Sequence, residues 1–158
     1  GAEKEQMYEC VGWSTGALDA AGDERPRHLL GIGEIDDLIA GVRLGIDSFD
    51  CAMPTRLARH GLALAPDPAG RWRVDLAKAA HRDSDEPIME GCPCPTCQVG
   101  WTRGYVRYMA RNRALTMMRA LTLHNLAFVQ RVMGRLREAV LAGTLAETAE
   151  VLLGGDAP

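Results

Sequence analysis

Three cysteines lie within the six-residue stretch CPCPTC, at Cys92, Cys94 and Cys97. Thiolates this close together would repel one another or oxidise, and a soft divalent cation removes both problems. We see no secretory signal at the start of the sequence, so the C-x-C-x-x-C spacing indicates a metal site rather than disulfides. The fourth ligand must come from elsewhere in the chain, and this requirement constrains the fold strongly.

Structural zinc sites take four tetrahedral ligands and are closed by Cys or His. His124 is the natural candidate for the fourth ligand, because it lies in the helical region that follows the cysteines. The alternative for His124 is an ordinary, partly buried helix histidine. The weaker candidates for the fourth ligand are His28, His60 and His81. We therefore predict a structural Zn²⁺ at the three cysteines, with no role in chemistry because four protein ligands leave no open position.

The segment 28–53 predicts a strand, a helix and a second strand. The strand HLLGIG at 28–33 is followed by a helix over 34–44, whose apolar residues recur at helical spacing, and then by a strand IDSFDCAM at 46–53. Gly45 ends the helix, since glycine tolerates the left-handed conformation found there. The two strands should be parallel, as in a βαβ unit.

Asp50 falls near the end of the second predicted strand. In parallel α/β folds, the chemistry lies at the carboxyl ends of the strands, which favours a catalytic role for this acid. The competing interpretation is a helix-cap or turn residue. An arginine at position 56 or 59 would lower the pKa of Asp50 by favouring its charged form.

The remaining segments predict mostly helices. We expect a helix over 4–20 with a stripe of Met7, Val11, Ala17 and Leu18, and a β-hairpin over 61–79. Helices follow over 103–111 and over 113–142, with a break of the second near Leu121 left open, and a short helix over 145–153 closes the chain. The predicted apolar stripe of the long helix comprises Leu126, Val129, Val132, Met133, Leu136 and Val140.

The charge of the chain is unevenly distributed. Residues 101–143 contain eight arginines and one acid, although the net charge is −3. A basic region on an acidic protein indicates partners that carry phosphate, and arginine suits RNA phosphates. The alternative is a solvated helical face with internal ion pairs. No apolar run approaches the length of a membrane span, so we expect no membrane partner and a cytoplasmic location.

Several motifs together resemble one family, the tRNA-guanine transglycosylases or queuine tRNA-ribosyltransferases. They are the strand-end Asp50, MPTRLAR at 53–59, C-x-C-x-x-C, and LHN at 123–125. The resemblance runs from about residue 3 to residue 143 and implies an α/β fold, the C-terminal portion of a (β/α)8 barrel with a zinc-binding subdomain and C-terminal helices. The expected divisions are 1–60 for the incomplete TIM-type barrel, 61–143 for the hairpin, zinc subdomain and helices, and 144–158 for the closing helix and tail.

The resemblance also implies roles for individual residues. Asp50 would be the nucleophile that attacks the ribose C1′ of the first anticodon nucleotide and forms a covalent intermediate. Thr55, Arg56 and Arg59 would hold the flanking uridines, and Leu30 and Gly31 would border the base pocket. The zinc ligands would be Cys92, Cys94, Cys97 and His124. The implied partners are a tRNA with a GUN anticodon and a 7-deazaguanine base, with guanine as the base that is replaced in the queuosine pathway.

The resemblance covers the C-terminal part of such an enzyme, less than half of it. A full barrel needs about 250 residues, and only two barrel strands are evident here. We therefore expect this chain alone to be inactive and to pair as a homodimer or with a complementary N-terminal half. The alternative is a non-catalytic, zinc-bearing subunit that binds tRNA or a partner chain.

Overall fold

The computed structural model of the chain describes residues 2–158. Its elements are α1 (Ala2–Ala20), β1 (His28–Leu29), α2 (Ile35–Arg43), β2 (Ser48–Phe49), α3 (Met53–Arg59), β3 (Leu62–Leu64), β4 (Arg73–Asp75), a 3₁₀ turn (Ala79–His81), α4 (Pro95–Gln98), α5 (Arg103–Arg111), α6 (Leu115–Ala142) and α7 (Leu145–Leu153). In this part of the chain, no helix combines the length and the apolarity needed to cross a membrane.

The predicted βαβ unit is confirmed. Strands β1 and β2 are parallel, with His28 opposite Ser48 and Leu29 opposite Phe49, and α2 lies between them in the chain. Each strand has two residues, so the predicted spans 28–33 and 46–53 were too long. Gly31 ends β1 by taking a left-handed conformation (φ +72°), and the chain enters α3 soon after β2. The closed barrel itself remains a prediction.

Helix α2 has the amphipathic face that its spacing predicted. Ile35, Leu38 and Ile39 are buried, whereas Val42 is half-buried. Gly45 follows the end of the helix at φ +85°, as predicted, and the next amide, that of Ile46, donates to the carbonyl of Gly41. The turn after Gly45 delivers the chain into β2.

The predicted hairpin is also confirmed. Strands β3 and β4 are antiparallel, with Ala63 opposite Val74. Beyond the paired residues, the Ala65 amide donates to the Trp72 carbonyl and closes the loop between the strands. Ala63 and Leu64 are buried, so the hairpin faces the core along β3.

The structure decides two expectations about the long helix. Helix α6 is continuous, so the break near Leu121 that the sequence left open does not occur, and the neighbours of Leu121 contain no proline or glycine. Its predicted stripe was only partly correct: Val132 and Leu136 are buried, but Leu126 and Val140 are exposed. The buried face of α6 is therefore rotated relative to the predicted stripe, and it includes two polar side chains. Its residues are Met117, Ala120, Leu121, His124, Asn125, Phe128, Val132, Leu136 and Ala139.

Helix α1 departs from its predicted stripe in a similar way. Val11 is buried, Met7 and Leu18 are half-buried, and Ala17 is exposed. Polar contacts also join this helix to α2. Lys4 forms ion pairs with Asp36 at 2.6 Å and with Asp37 at 2.8 Å.

Helix α6 lies at the centre of the packing. One apolar cluster joins α2, α3, the hairpin, the segment 92–97 that carries the three cysteines (the cysteine segment), α6 and α7. It includes Ile39, Leu64 and Phe128. A second cluster, around Ile88, Val106 and Leu121, joins α5 to the start of α6. The helix therefore connects the βαβ unit to the segment that carries the three cysteines.

Candidate metal centre and candidate active site

The structure brings the three cysteines and His124 together. Their ligand atoms all lie within 4.8 Å of one another. The Nδ1 atom of His124 is 3.8 Å from Cys92 Sγ, 3.5 Å from Cys94 Sγ and 3.4 Å from Cys97 Sγ. Zinc–sulfur and zinc–nitrogen bonds of about 2.3 and 2.0 Å at a tetrahedral angle place N and S about 3.5 Å apart. The four residues therefore fit a tetrahedral zinc ion.

Local backbone structure places the thiols. Cys94 is the N-cap of α4, and its Sγ accepts a hydrogen bond from the Cys97 amide at 3.4 Å. Pro95 begins that short helix, so the chain turns between the second and third cysteine. Thr96 donates its hydroxyl to the Ala120 carbonyl of α6 at 2.8 Å and ties the cysteine segment to the helix that carries His124.

His124 is fully buried and has a fixed tautomer. Its Nε2–H donates to the Leu64 carbonyl at 2.9 Å, which leaves the Nδ1 lone pair directed at the thiols. Burial lowers the pKa of His124, with an opposing contribution from the Leu64 carbonyl. A neutral imidazole whose other nitrogen donates to a backbone carbonyl is the form in which histidine binds metals.

The thiol environment explains why a cation belongs at this centre. Burial raises the pKa of Cys92, and burial together with the neighbouring thiols raises the pKa of Cys97. Two buried thiolates and one half-buried thiolate without a counter-charge are therefore unfavourable, and a divalent cation would reverse this balance. The weaker candidates His28, His60 and His81 lie outside the group. Within residues 2–158, this is the one His/Cys/Asp/Glu group with such ligand geometry.

Asp50 lies at the end of β2, where two donors hold one of its carboxylate oxygens. Its Oδ1 accepts the Gly31 amide at 3.1 Å and is 3.2 Å from His28 Nε2. The other ring nitrogen of His28 is 2.8 Å from the Ser48 hydroxyl, so Ser48 favours the tautomer that donates to Asp50. The Gly31 amide, and after it His28, lower the pKa of Asp50.

The ionisation of Asp50 therefore has a different cause from the predicted one. We expected Arg56 or Arg59 to lower its pKa, but the donors are Gly31 and His28 on the neighbouring strand end. Asp50 is not a helix cap, since the N-cap of α3 is Ala52 and makes no side-chain capping bond. The turn-residue interpretation stays open, because Asp50 accepts the Gly31 amide in the turn that follows β1. Asp50 bonds across the strand pair instead, and its side chain is 61% exposed.

The other candidate site residues lie on the segments that flank Asp50. Thr55, Arg56 and Arg59 are on α3, and both arginines are exposed. The Thr55 hydroxyl donates to the Ala52 carbonyl at 3.0 Å, so it is engaged within its own helix. Leu30 follows β1 and is 76% exposed.

Sequence reasoning missed His28, Ser48 and Asn125 as contributors to these sites. His28 and Ser48 face each other because β1 and β2 are in register, and the twenty-residue spacing of the two strands was the available signal. Asn125 is fully buried and binds three backbone groups. Its position next to the metal-ligand candidate His124 was visible in the LHN motif, but its partners depend on the tertiary fold.

Comparison with known proteins identifies the family. The family model for queuine tRNA-ribosyltransferase matches residues 1–154. The chain is 42% identical over 154 residues to the queuine tRNA-ribosyltransferase of Roseiflexus sp. (strain RS-1), covering 98% of this chain and 38% of that protein. The proteins of the same name from Symbiobacterium thermophilum and Dictyoglomus turgidum are 40% and 37% identical, over 97% and 93% of this chain.

The chain therefore belongs to the queuine tRNA-ribosyltransferase family. It spans 36 to 38% of the length of these three relatives. The family resemblance inferred from the sequence motifs is thus confirmed.

Proposed function

We propose that this chain is the metal-bearing, tRNA-binding portion of a cytoplasmic tRNA-guanine transglycosylase in which Asp50 is the nucleophile. The reaction replaces guanine at the first position of a GUN anticodon with a 7-deazaguanine, a step of queuosine formation. The state of the Asp50 carboxylate is the observation that carries this proposal. Two donors hold Oδ1 and favour the anion, while Oδ2 makes no hydrogen bond within the described residues.

The chemistry suits a free carboxylate oxygen. Asp50 attacks C1′ of the ribose, so that an O–C1′ bond forms as the C1′–N9 bond to guanine breaks. Guanine leaves with the bonding electrons and takes a proton from a general acid outside this chain. The incoming 7-deazaguanine then loses its N9 proton to that group and displaces Asp50, which returns to the carboxylate. Two displacements retain the configuration at C1′.

Helix α3 supplies the proposed RNA contacts. It begins three residues after Asp50 and presents Arg56 and Arg59 to solvent, with no ion pair for either in residues 2–158. Arginine offers a rigid set of donors that matches base edges and phosphates in single-stranded loops. The target nucleotide has to leave its stack before C1′ is accessible. Arg56 and Arg59, which lie on the helix after the proposed nucleophile, would hold the nucleotides on either side of the target while the target leaves the stack.

The proposed zinc is structural. Cys92, Cys94, Cys97 and His124 would hold it, and four protein ligands leave no position for a substrate or water. When bound, the ion supplies folding free energy and neutralises the buried thiolates. These residues thereby fix the cysteine segment against α6 and the hairpin.

Partners would complete the proposed active site. Strands β1 and β2 each have a single neighbour within the described residues, and a groove of about 590 Å³ runs between α1 and β1. These features support a complementary N-terminal half that continues the barrel. A homodimer is supported by the exposed pair Tyr105 and Tyr108, stacked at 6.4 Å, with Trp101 against Tyr105 at 5.6 Å.

A chimaera tests the proposed nucleophile. This chain would replace the matching segment of the Roseiflexus relative, and incorporation of labelled guanine into a tRNA with a UGU anticodon loop would be measured. We expect activity in the chimaera and none with Asp50→Asn, while Asp47→Asn, at the other end of β2, serves as the exposed control. Undiminished activity of the Asp50→Asn chimaera would overturn the assignment.

The second candidate is a non-catalytic subunit that binds tRNA or a partner chain through the metal-bearing part. The observation that favours it is the completeness of the metal centre within this chain, in contrast to the incomplete surroundings of Asp50. An inactive chimaera that still binds the tRNA loop would favour this second function.

A further inference from the structure

The buried side chain of Asn125 is neither a candidate metal ligand nor a contact of Asp50. It directly follows His124 in α6, and its exposed fraction is 0%. Its Oδ1 accepts the Leu64 amide at 2.7 Å, and its Nδ2 donates to the Leu62 carbonyl at 3.1 Å and the Pro54 carbonyl at 3.0 Å. All the partners of this buried amide are backbone groups on other elements.

Two of these bonds complete an edge of the hairpin. Gly61 and Ala65 bond toward β4, so the polar groups of Leu62 and Leu64 point to the opposite edge of β3. Asn125 pairs with the Leu62 carbonyl and the Leu64 amide, and His124 donates to the Leu64 carbonyl. His124 and Asn125, which are consecutive in α6, thus satisfy backbone groups that a neighbouring strand would otherwise bond. They also join α6, with the candidate metal ligand His124, to β3.

The third bond reaches α3. Pro54 lies in the first turn of that helix, which carries Arg56 and Arg59 and follows Asp50. Apolar contacts press α3 against the core through buried Leu57 and Ala58, but such contacts permit sliding and rotation more readily than a directed hydrogen bond. The bond from Asn125 to the Pro54 carbonyl therefore fixes where α3 begins relative to α6.

We propose that Asn125 is a positioning residue, which transmits the geometry of the metal centre to α3 and so sets the placement of Arg56 and Arg59 beside Asp50. One buried amide connects the metal-bearing helix, the hairpin edge and the helix that presents the arginines. The consequence for RNA binding rests on the proposed function, whereas the mechanical coupling rests on the contacts of Asn125 alone.

Hydrogen exchange of the zinc-loaded chain tests the coupling. Asn125→Ala removes all three bonds, and Asn125→Leu, which keeps roughly the size of the side chain without burying a charge, is the second variant if the alanine variant fails to fold. The matched control is Thr15→Val, which removes a buried hydroxyl that donates to the Val11 carbonyl at 3.1 Å within α1, an element that belongs to neither the metal centre nor α3.

We expect exchange of the α3 amides to accelerate about tenfold or more in the Asn125 variants, a change of about 1.4 kcal/mol in local opening. The Thr15→Val variant should leave α3 exchange unchanged, and zinc content should remain one ion per chain in all folded variants. Unchanged α3 exchange in a folded Asn125 variant would overturn the proposal, as would equal acceleration in Thr15→Val.

A binding measurement tests the consequence. We compare affinities for an RNA hairpin with a UGU loop and for one with a scrambled loop. The preference should fall about tenfold in Asn125→Ala and hold in Thr15→Val, because misplaced arginines still attract phosphate but lose base contacts. A preference retained in Asn125→Ala would overturn this part. If the unmodified chain shows no preference, the proposed function fails, and the exchange measurement still decides whether Asn125 positions α3.

Discussion

The metal centre differs from the end of the β1–β2 pair that carries Asp50, here called the Asp50 edge. The difference lies in how much of each site this chain contains. At the metal centre, four ligands converge, and Thr96, Leu64 and Asn125 provide the surrounding hydrogen bonds. At the Asp50 edge, a pair of two-residue strands carries a carboxylate that is 61% exposed. The first site is closed by residues of this chain, whereas the second has donors on one side only. The contrast supports the proposals that this portion binds zinc by itself and that the proposed catalysis needs further structure.

The largest expected effect is at the metal centre. Cys97→Ser should lose the zinc and most of the folding free energy, since metal binding contributes on the order of 10 kcal/mol in small zinc domains. Metal analysis and thermal unfolding check this expectation. Cys10→Ser, at an exposed thiol on α1, is the control and should keep one zinc per chain. Full metal content in the Cys97→Ser protein would show that the ligand set is wrong.

An intermediate effect is expected at α3. Arg56→Ala and Arg59→Ala should each weaken binding to the UGU-loop hairpin by about 1–3 kcal/mol if the arginine contacts a base. If the arginine contacts phosphate instead, the slope of log affinity against log salt concentration should become shallower by about 1. Affinities at several salt concentrations separate the two cases. Arg25→Ala, at an arginine paired with Asp23, is the control. Equal losses for all three arginines would point to unspecific attraction.

A small effect on stability is expected at Asp50, in contrast to the metal ligands. Asp50→Asn keeps the shape of an exposed side chain, so the free energy of unfolding should change by no more than about 0.5 kcal/mol. Denaturant unfolding at neutral pH measures this change. A loss of several kcal/mol would place Asp50 among the residues that hold the fold and would weaken the contrast between the two regions.

The subtlest effect concerns the charge of Asp50. His28→Gln should raise the pKa of Asp50 toward the ordinary value near 3.9, because one donor to the anion is weakened, while His60→Gln should not. Since the folded-state pKa is lowered, the associated stability is present above about pH 4 and is lost as the pH falls through the folded value. Carbon-detected NMR of the Asp50 carboxyl follows the titration. An unchanged titration in His28→Gln would assign the shift to the Gly31 amide alone.

The sequence predicted local features well because they have local causes. The cysteine spacing, the parallel βαβ unit, the glycine after α2 and the hairpin were all visible as motifs or periodicities. The cause of the lowered pKa of Asp50 was not, because His28 and Gly31 meet Asp50 only through strand register. The buried face of α6 was missed in part because it contains His124 and Asn125, whose burial is offset by hydrogen bonds that apolar periodicity does not detect.

Incorporation of labelled guanine by this 158-residue chain alone, with its zinc content measured in the same sample, tests the central contrast most directly. The account predicts one zinc per chain and no incorporation, because the metal centre is complete here and the surroundings of Asp50 are not. Incorporation that disappears in Asp50→Asn would contradict this account, since the general acid and the base pocket would then have to lie within these residues.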